Sequence, residues 1–216
     1  MLFGCFFENA TSPVGEVAEK IYSKLFSNLG GRKLYRIWNY IPNINEIING
    51  EEVYRQFNSG RFNSFKKHFG SSFNSFPAAT GIDIISKELV VCFLAGEKEP
   101  INLHNPNQIK PIDYSSKFGK LPPVFARAAR AETTVFISGP ASIIGEESIG
   151  VGVIEKQLEI TFLNLNIMLE EANYDSRLGK KAAIIYFRFE KDKNYILNRF
   201  TKEFSEFSNV ICLKGN

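Results

Sequence analysis

Three arginines stand in short motifs that also hold aromatic or small residues, and they are the first candidates for chemistry. Arg36 lies in YRIWN beside the chain's only tryptophan, Arg61 lies in SGR and Arg127 in FARA. A guanidinium group is planar, positively charged and able to bind a carboxylate through two parallel hydrogen bonds. The three residues are therefore candidate binders of an acidic small molecule, although each could equally be a surface arginine paired with a nearby acid.

Glu159 is the candidate proton donor. It stands in QLEITFLN next to Leu158, which belongs to an apolar stripe at helical spacing, so a partly buried position is expected. Partial burial favours the protonated form of a carboxyl group, and a protonated carboxyl group can act as a general acid. The competing interpretation is a solvated glutamate on the outer face of a helix.

Tyrosines and glycines near these motifs could complete a site. Tyr54 and Tyr114 could hydrogen-bond a carboxylate or hydroxyl group, or they could pack in an aromatic core. Gly139, in SGPAS, would let the backbone approach a ligand, or it would simply form a turn. Trp38 and Asn39 lie beside the first arginine on a predicted strand, where they either line the site or anchor the core and the following turn.

The other titratable residues argue against metal and nucleic-acid chemistry. The two histidines and three cysteines show no metal-ligand spacing, so no metal is expected. Cys5, Cys92 and Cys212 are expected to be buried free thiols, with a disulfide or a catalytic thiol as the less favoured alternatives. The net charge of +3 comes from basic residues scattered along the chain, which disfavours nucleic-acid binding.

The apolar runs of the sequence are too short for a membrane span. The longest, at residues 89–96 and 182–187, fall far short of the roughly 20 residues that cross a bilayer. The apolar start lacks a basic region and a cleavage site, so no signal peptide is expected. We therefore expect a cytoplasmic protein.

Hydrophobic periodicity predicts the elements that carry these residues. Helices are expected at residues 17–29, 51–69, 154–169 and 194–207, the second of them interrupted at Ser59-Gly60. Strands are expected at residues 33–40, 133–137, 182–189 and 210–213, with two short strands or one bent strand at 81–95. Residues 96–123 hold several prolines and predict a long, irregular loop. Because the order helix, strand, helix, strand occurs twice, we expect an α+β fold with a mixed sheet, helices on one face and a tandem pseudo-repeat.

Read in order, several segments resemble a known family. VFISGPASI, IEKQLEITFLNLNIMLEEAN and AAIIYFRFEKDKNYILNRFTKEF resemble the central strand, the long helix and the next strand and helix of the YjgF/Rid domain. Residues 54–96 resemble the closing part of another such domain. Two Rid-like domains in tandem, with RIWNYIPNIN, an NPxQ loop, FARA and SGxASI, resemble the chorismatase and 3-hydroxybenzoate synthase family.

The resemblance implies a fold, an activity and a set of site residues. Residues 1–95 would form an incomplete first Rid-like (chorismate-mutase-like) domain, and residues 96–216 a second one with an active-site loop at 96–123; the chain is shorter than family members at both ends. The implied enzyme uses no cofactor and cleaves the enolpyruvyl ether of chorismate, giving pyruvate and a dihydroxycyclohexadiene carboxylate or 3-hydroxybenzoate. Glu159 would be the general acid, and the implied substrate-binding residues are Arg36, Arg61, Arg127, Tyr54, Tyr114 and Gly139.

Departures from the family pattern keep other functions open. Asn107 stands where the family has arginine, Glu146 where it has histidine, and Pro140 where it has a small residue. A catalytically inactive binding or scaffold relative is one alternative. A Rid-type enamine or imine deaminase is less favoured, because residues 77–80 (PAAT) lack that family's arginine. Since Rid domains assemble around sites between subunits and an incomplete sheet exposes its edges, a homo-oligomer is expected, most simply a trimer.

Overall fold

A computed structural model describes residues 1–10, 13–71, 73–173 and 179–215 of the chain. The helices in these ranges are α1 (Val14–Ser27), α2 (Val53–Phe69), α3 (Ile154–Glu171) and α4 (Lys193–Glu203). The strands are β1 (Leu2–Asn9), β2 (Lys33–Ile41), β3 (Ile47–Ile48), β4 (Glu51–Glu52), β5 (Ala78–Asp83), β6 (Glu88–Gly96), β7 (Ile101–Leu103), β8 (Ala128–Ala131), β9 (Thr134–Ile137), β10 (Ile143–Ile144), β11 (Glu147–Ser148), β12 (Ala182–Phe187) and β13 (Asn209–Lys214). The predicted α+β class is confirmed.

The first half of the chain is a mixed sheet covered by two helices. Its strand order is β1-β6-β2-β5, with β2 and β5 parallel and the other pairs antiparallel. α1 and α2 pack on one face, where Ile21 and Leu25 of α1 meet Ile37 of β2 and Val91 of β6. The helices therefore lie on one face of this mixed sheet, as the sequence predicted.

The predicted interruption of the second helix at Ser59-Gly60 is wrong, because α2 runs unbroken from Val53 to Phe69. Gly60 lies where α1 crosses α2, and a Cβ atom on it would stand 1.9 Å from the carbonyl oxygen of Gly15. The glycine therefore permits a close approach of two helix backbones, which is a different use of its missing side chain from turn formation.

The second half contains three smaller sheets, one of which is the short antiparallel pair β10–β11. β7, β8 and β9 form an antiparallel sheet that continues from the first one through a bridge between Ala78 and Ala126. The parallel pair β12–β13 is covered by α3 and α4, whose Phe162 and Phe200 pack with Phe187.

Strand β8 was not predicted from the sequence, whereas residues 96–123 are mostly irregular, as expected. The two-domain division at residue 95 and the Rid-like detail stay predictions.

The N-terminal strand β1 was also missed by the sequence analysis, and it changes the state of two cysteines. It pairs with β6 so that Cys5 stands directly opposite Cys92, and the two form a disulfide bond. The expectation of three free thiols is therefore wrong, because strand pairing brings together two residues that are 87 positions apart in sequence. Cys212 is the free cysteine.

Thiol titration of the denatured protein checks this pairing. We expect one reactive thiol before reduction, from Cys212, and three after it. The Cys212→Ser variant serves as the control, since it should show no thiol until a reductant is added. Three reactive thiols in unreduced wild-type protein would contradict the disulfide.

No helix in the described part of the chain is long and apolar enough to cross a bilayer.

Candidate functional site

The alternation of β2 places an arginine and two aromatic residues on the sheet face that the helices leave open. Ile37, Asn39 and Ile41 are buried on the helix side. Because successive side chains of a strand point to opposite faces, Arg36, Trp38 and Tyr40 lie on the other side. Arg36 is only 7% exposed, and Trp38 and Tyr40 are half-buried.

Arg36 is a buried cation held by neutral groups. One of its terminal nitrogens donates a hydrogen bond to the hydroxyl of Thr80 on β5, and another donates to the carbonyl oxygen of Ile37 at 3.2 Å. Its guanidinium carbon lies 5.0 Å from the centre of the Trp38 ring. Burial lowers the pKa of Arg36 to about 10, so the group is still charged at neutral pH. Among the described residues it has no carboxylate partner.

The two halves of the chain meet at this arginine. The hydroxyl of Tyr40 on β2 lies 3.3 Å from the hydroxyl of Tyr186 on β12. Burial raises the pKa of the Tyr186 hydroxyl, so the group is neutral near Arg36. We call Arg36, Trp38, Tyr40, Thr80 and Tyr186 the Arg36 cluster.

The turn after β9 is fixed against the same strand of the first sheet. The backbone nitrogen of Gly139 donates to the hydroxyl of Thr80 at 3.3 Å. The hydroxyl of Ser138 donates to the carbonyl oxygen of Ala126 at 2.5 Å and accepts from the backbone nitrogen of Ala79 at 2.9 Å. Gly139 therefore lies at the Arg36 cluster, which brings two of the predicted site residues together through Thr80.

Arg127 and Tyr114 form a second polar group that the same turn connects to the first. Arg127 donates to the hydroxyl of Tyr114 at 2.5 Å and to the carbonyl oxygen of Ile109 at 3.2 Å. It is 6% exposed, and its buried Nε has no hydrogen-bond partner among the described residues. The backbone nitrogen of Ser138 donates to the carbonyl oxygen of Arg127 at 2.9 Å, so this arginine directly adjoins the turn that carries Gly139.

A buried asparagine of α3 holds the loops on this side of the molecule. The side-chain nitrogen of Asn164 donates to the carbonyl oxygens of Ala141 and Ile143 at 2.8 and 2.9 Å. Its oxygen accepts from the side chain of Asn105 at 3.0 Å, and Asn105 in turn accepts from the backbone nitrogen of Asn107. One side chain therefore ties the SGPAS turn to the NPNQ loop.

Arg61 and Tyr54 do not join the other predicted site residues. Arg61 is 2% exposed inside the packing between helices and sheet, where it donates to Asn58 at 3.0 Å and lies 5.3 Å from the ring centre of Phe57. Tyr54 stacks on the same phenylalanine ring at 6.4 Å. This is the helix-covered face of the sheet, opposite to Arg36, so the structure does not bring either residue onto the face that carries Arg36, and their roles in substrate binding stay predictions. Both positions fit core packing.

The burial expected for Glu159 is not found. Its side chain is 63% exposed and forms an ion pair with Lys156 at 2.9 and 3.0 Å. Its neighbours Leu158 and Ile160 are buried. The apolar stripe of α3 was predicted correctly. The burial of Glu159 was inferred from its adjacency to Leu158, but neighbouring positions of a helix point in different directions, and the side chain of Glu159 points to the solvent.

None of the five residues of the Arg36 cluster lines either of two depressions in another part of the surface. Both depressions lie around the loop at residues 42–53, the larger one between Glu51, Arg55 and Lys120. Tyr40, Thr80 and Tyr186 were missed as site residues. The alternation of β2 could have placed Tyr40 beside Arg36, but nothing in the run AAIIYF distinguishes Tyr186 from a core residue.

Comparison with known proteins finds similarity to chorismatases and a 3-hydroxybenzoate synthase. Residues 1–95 match the family model described as the N-terminal domain of FkbO/Hyg5-like chorismatases. The chain is 32% identical over 163 residues to a 3-hydroxybenzoate synthase of Streptomyces hygroscopicus, covering 69% of this chain and 47% of that protein. It is 32% identical over 149 residues to a chorismatase of Streptomyces rapamycinicus, covering 65% of this chain and 44% of that protein.

The fold agrees with these matches. A crystal structure of a chorismatase superposes with a TM-score of 0.83 at 24% identity, covering 99% of this chain and 69% of the other. The predicted similarity to chorismatases is confirmed, and the chain spans about half the length of the curated relatives that it matches.

Proposed function

We propose that this chain, whose first 95 residues match the model of the chorismatase N-terminal domain, is a chorismatase-like enzyme. Its substrate is chorismate, and its products are pyruvate and either a dihydroxycyclohexadiene carboxylate or 3-hydroxybenzoate. The observation that carries the proposal is Arg36, a buried cation with no carboxylate partner among the described residues, on the surface where the two halves meet. Relatives named chorismatase and 3-hydroxybenzoate synthase identify the chemistry to test first.

The charges of the site suit a substrate with two carboxylates. Chorismate carries one carboxylate on its ring and one on its enolpyruvyl group. Arg36 and Arg127 are both nearly buried and both lack an acidic partner within the described ranges, and the 138–139 turn connects them. A guanidinium group binds a carboxylate most strongly where water is excluded, so we assign one arginine to each carboxylate.

The reaction requires a proton and, for one product, a water molecule. A proton added to the methylene carbon of the enol ether gives an oxocarbenium ion. Water then attacks the neighbouring carbon, which carries the ether oxygen and the positive charge, and the resulting hemiketal collapses with cleavage of the ether C–O bond, releasing pyruvate and the ring alcohol. The route to 3-hydroxybenzoate gives pyruvate and an aromatic ring whose atoms together equal those of chorismate, so it consumes no net water.

Glu159 remains the proposed general acid on the family resemblance alone. A proton donor at neutral pH is usually withdrawn from water, whereas Glu159 is exposed and paired with Lys156. The Glu159→Gln variant keeps the shape of the side chain and removes its proton. Loss of pyruvate release in this variant assigns the acid role to Glu159, and unchanged release removes it from the mechanism.

The test of the proposed function is incubation of the purified chain with chorismate. Pyruvate is measured by coupling to lactate dehydrogenase, and the ring product is identified by mass spectrometry. We expect pyruvate together with one of the two ring products in equal amounts. Folded protein that releases no pyruvate would contradict the proposal.

One observation favours an inactive, chorismate-binding relative as the second candidate. Glu159, the residue proposed as the proton donor, is 63% exposed and forms an ion pair with Lys156, and no contact joins it to the Arg36 cluster within the described ranges. Such a protein would bind chorismate, with heat released on titration, while pyruvate stays absent.

We also propose that the chain forms a homo-oligomer, most simply a trimer. Phe3 and Phe7 of the edge strand β1 are 63% and 65% exposed, and they pair across the sheet with residues on the same face as Arg36. Ile211 of β13 is also 55% exposed. Exposed apolar residues on an edge strand with free backbone groups favour contact with another chain, here a second copy that would also cover the Arg36 surface.

Light scattering after size-exclusion chromatography tests this assembly. Wild-type protein should have a multiple of the 24.4 kDa chain mass, and a Phe3→Asp, Phe7→Asp double variant should have the mass of one chain. Ile85→Asp is the control, because Ile85 is 82% exposed but lies in the loop between β5 and β6. A wild-type monomer at every concentration would refute the proposal.

A cytoplasmic location is part of the proposal on sequence grounds. Stable disulfides are rare in reducing compartments, so the Cys5–Cys92 bond is in tension with this location. The thiol titration described above tests whether the disulfide and this location are compatible. For this purpose it is made on protein purified from reducing cytosol without added oxidant.

A further inference from the structure

The hydroxyl of Thr80 lies at the junction of three elements. It accepts a hydrogen bond from Arg36 of β2 and another from the backbone nitrogen of Gly139 at 3.3 Å. Thr80 itself is 9% exposed, and its carbonyl oxygen accepts from the buried side chain of Asn39 at 2.9 Å. Pairing of Thr80 with Trp38 in the parallel ladder fixes its backbone as well.

The two accepted bonds determine where the hydroxyl proton can point. A threonine hydroxyl has one O–H donor and two acceptor lone pairs. Arg36 and Gly139 occupy both lone pairs, so the O–H bond must take the remaining direction. Among the described residues, no acceptor receives this proton. A nearly buried donor is therefore held in a fixed direction next to a buried guanidinium group that has no acidic partner.

We propose that Thr80 contacts the ligand directly. Its O–H donates to a carboxylate oxygen that Arg36 also binds, so that the two side chains form one subsite for an organic carboxylate. A carboxylate supplies acceptors only, which matches a subsite made of a guanidinium group and a hydroxyl donor. The ring of Trp38 beside Arg36 suits a carboxylate on a flat, unsaturated carbon frame. The identity of the ligand as chorismate rests on the proposed function, but the subsite requires only a carboxylate.

Thr80 has a second effect in this arrangement, because it also orients Arg36. Replacement by valine keeps the size and branching of the side chain but removes both acceptor bonds and the donor. Replacement by serine keeps the hydroxyl. A role in core packing alone would make the valine variant the milder of the two changes, whereas a role in binding predicts the reverse order.

The only tryptophan of the chain provides the probe. Trp38 lies 5.0 Å from the guanidinium carbon of Arg36, so a ligand bound there should change its fluorescence. We would titrate wild type and variants with chorismate, 3-hydroxybenzoate and pyruvate, and with methyl 3-hydroxybenzoate as an uncharged control. Thr80→Val should weaken carboxylate binding at least about tenfold, and Thr80→Ser no more than about threefold. The preference for 3-hydroxybenzoate over its methyl ester should shrink in the valine variant, which a loss of packing alone would not cause.

Two further variants secure the interpretation. Thr201→Val removes a hydroxyl whose hydrogen bonds, among the described residues, all go to the backbone of its own helix, and this variant should bind as wild type does. Thr80→Ala replaces the valine variant if the latter does not fold, and it should show the same loss of affinity. The subsite is refuted if no carboxylate changes Trp38 fluorescence, or if Thr80→Val binds like wild type.

The titrations also separate this inference from the proposed function. Binding of chorismate that does not depend on Thr80 would refute the subsite and leave the proposed function standing. Binding of 3-hydroxybenzoate or pyruvate that depends on Thr80, with no binding of chorismate, would support the subsite and count against the proposed function.

Discussion

Replacing Arg36 with methionine is expected to remove most of the affinity for chorismate while leaving the fold intact. The methionine side chain keeps the unbranched aliphatic stem but has no charge and no donor for a carboxylate. Removal of one partner of a buried, hydrogen-bonded charge pair costs about 2–5 kcal/mol of binding free energy, which is roughly 30-fold to 4,000-fold in affinity. Isothermal titration calorimetry with chorismate measures this loss.

The reason that the fold should survive is that Arg36 is an isolated buried cation. Its pKa is lowered by burial, and within the described part of the chain no acid depends on it for charge compensation. The variant should therefore unfold at the wild-type temperature or above. Arg130→Met is the matched control, because Arg130 is a half-buried arginine on β8 and outside the Arg36 cluster. Equal chorismate affinity in wild type and Arg36→Met would contradict the assignment of this site.

The second large effect is expected at Gly60, where alanine should destabilise the protein by about 3 kcal/mol or more. The added Cβ atom would lie 1.9 Å from the carbonyl oxygen of Gly15, so α1 and α2 must move apart. Overpacking of a well-packed core usually costs about 1–3 kcal/mol, and here the obstacle is backbone, which cannot rotate away as a side chain can. Urea unfolding measures the change in the free energy of unfolding.

Ser59→Ala is the control for this prediction. It places alanine at the neighbouring position of the same helix, where the side chain is half-buried, and alanine has the higher helix propensity. Its free energy of unfolding should stay within about 0.5 kcal/mol of wild type. A Gly60→Ala variant as stable as wild type would mean that the helices do not approach each other this closely.

Local periodicity was sufficient to predict that the four helices exist and to predict the strand that carries Arg36. The four-residue spacing of Val17, Ile21 and Leu25 predicted α1, and all three residues are buried. The alternation in KLYRIWNYI predicted β2, and the same alternation explains why Arg36 and Trp38 share a face. These features depend on neighbouring residues in sequence, so one sequence is enough to find them.

Features that depend on distant contacts could not be predicted in the same way. Gly60 was interpreted as a helix break because its partner, Gly15, is on another helix. Arg61 was grouped with Arg36 because both stand in motifs, but the rotation of α2 turns Arg61 into the core. The contact between Tyr40 and Tyr186 joins residues 146 positions apart, and no local pattern signals it.

The most direct test of a chorismate site at Arg36 is the rate of pyruvate release from chorismate, measured in parallel for wild type, Arg36→Met and Arg130→Met. We expect steady release by wild type and Arg130→Met, and a rate at least about 30-fold lower for Arg36→Met at subsaturating chorismate. Equal rates for wild type and Arg36→Met would show that the chemistry occurs elsewhere on the chain. No release by any of the three folded proteins would contradict the assignment of a chorismatase-like activity.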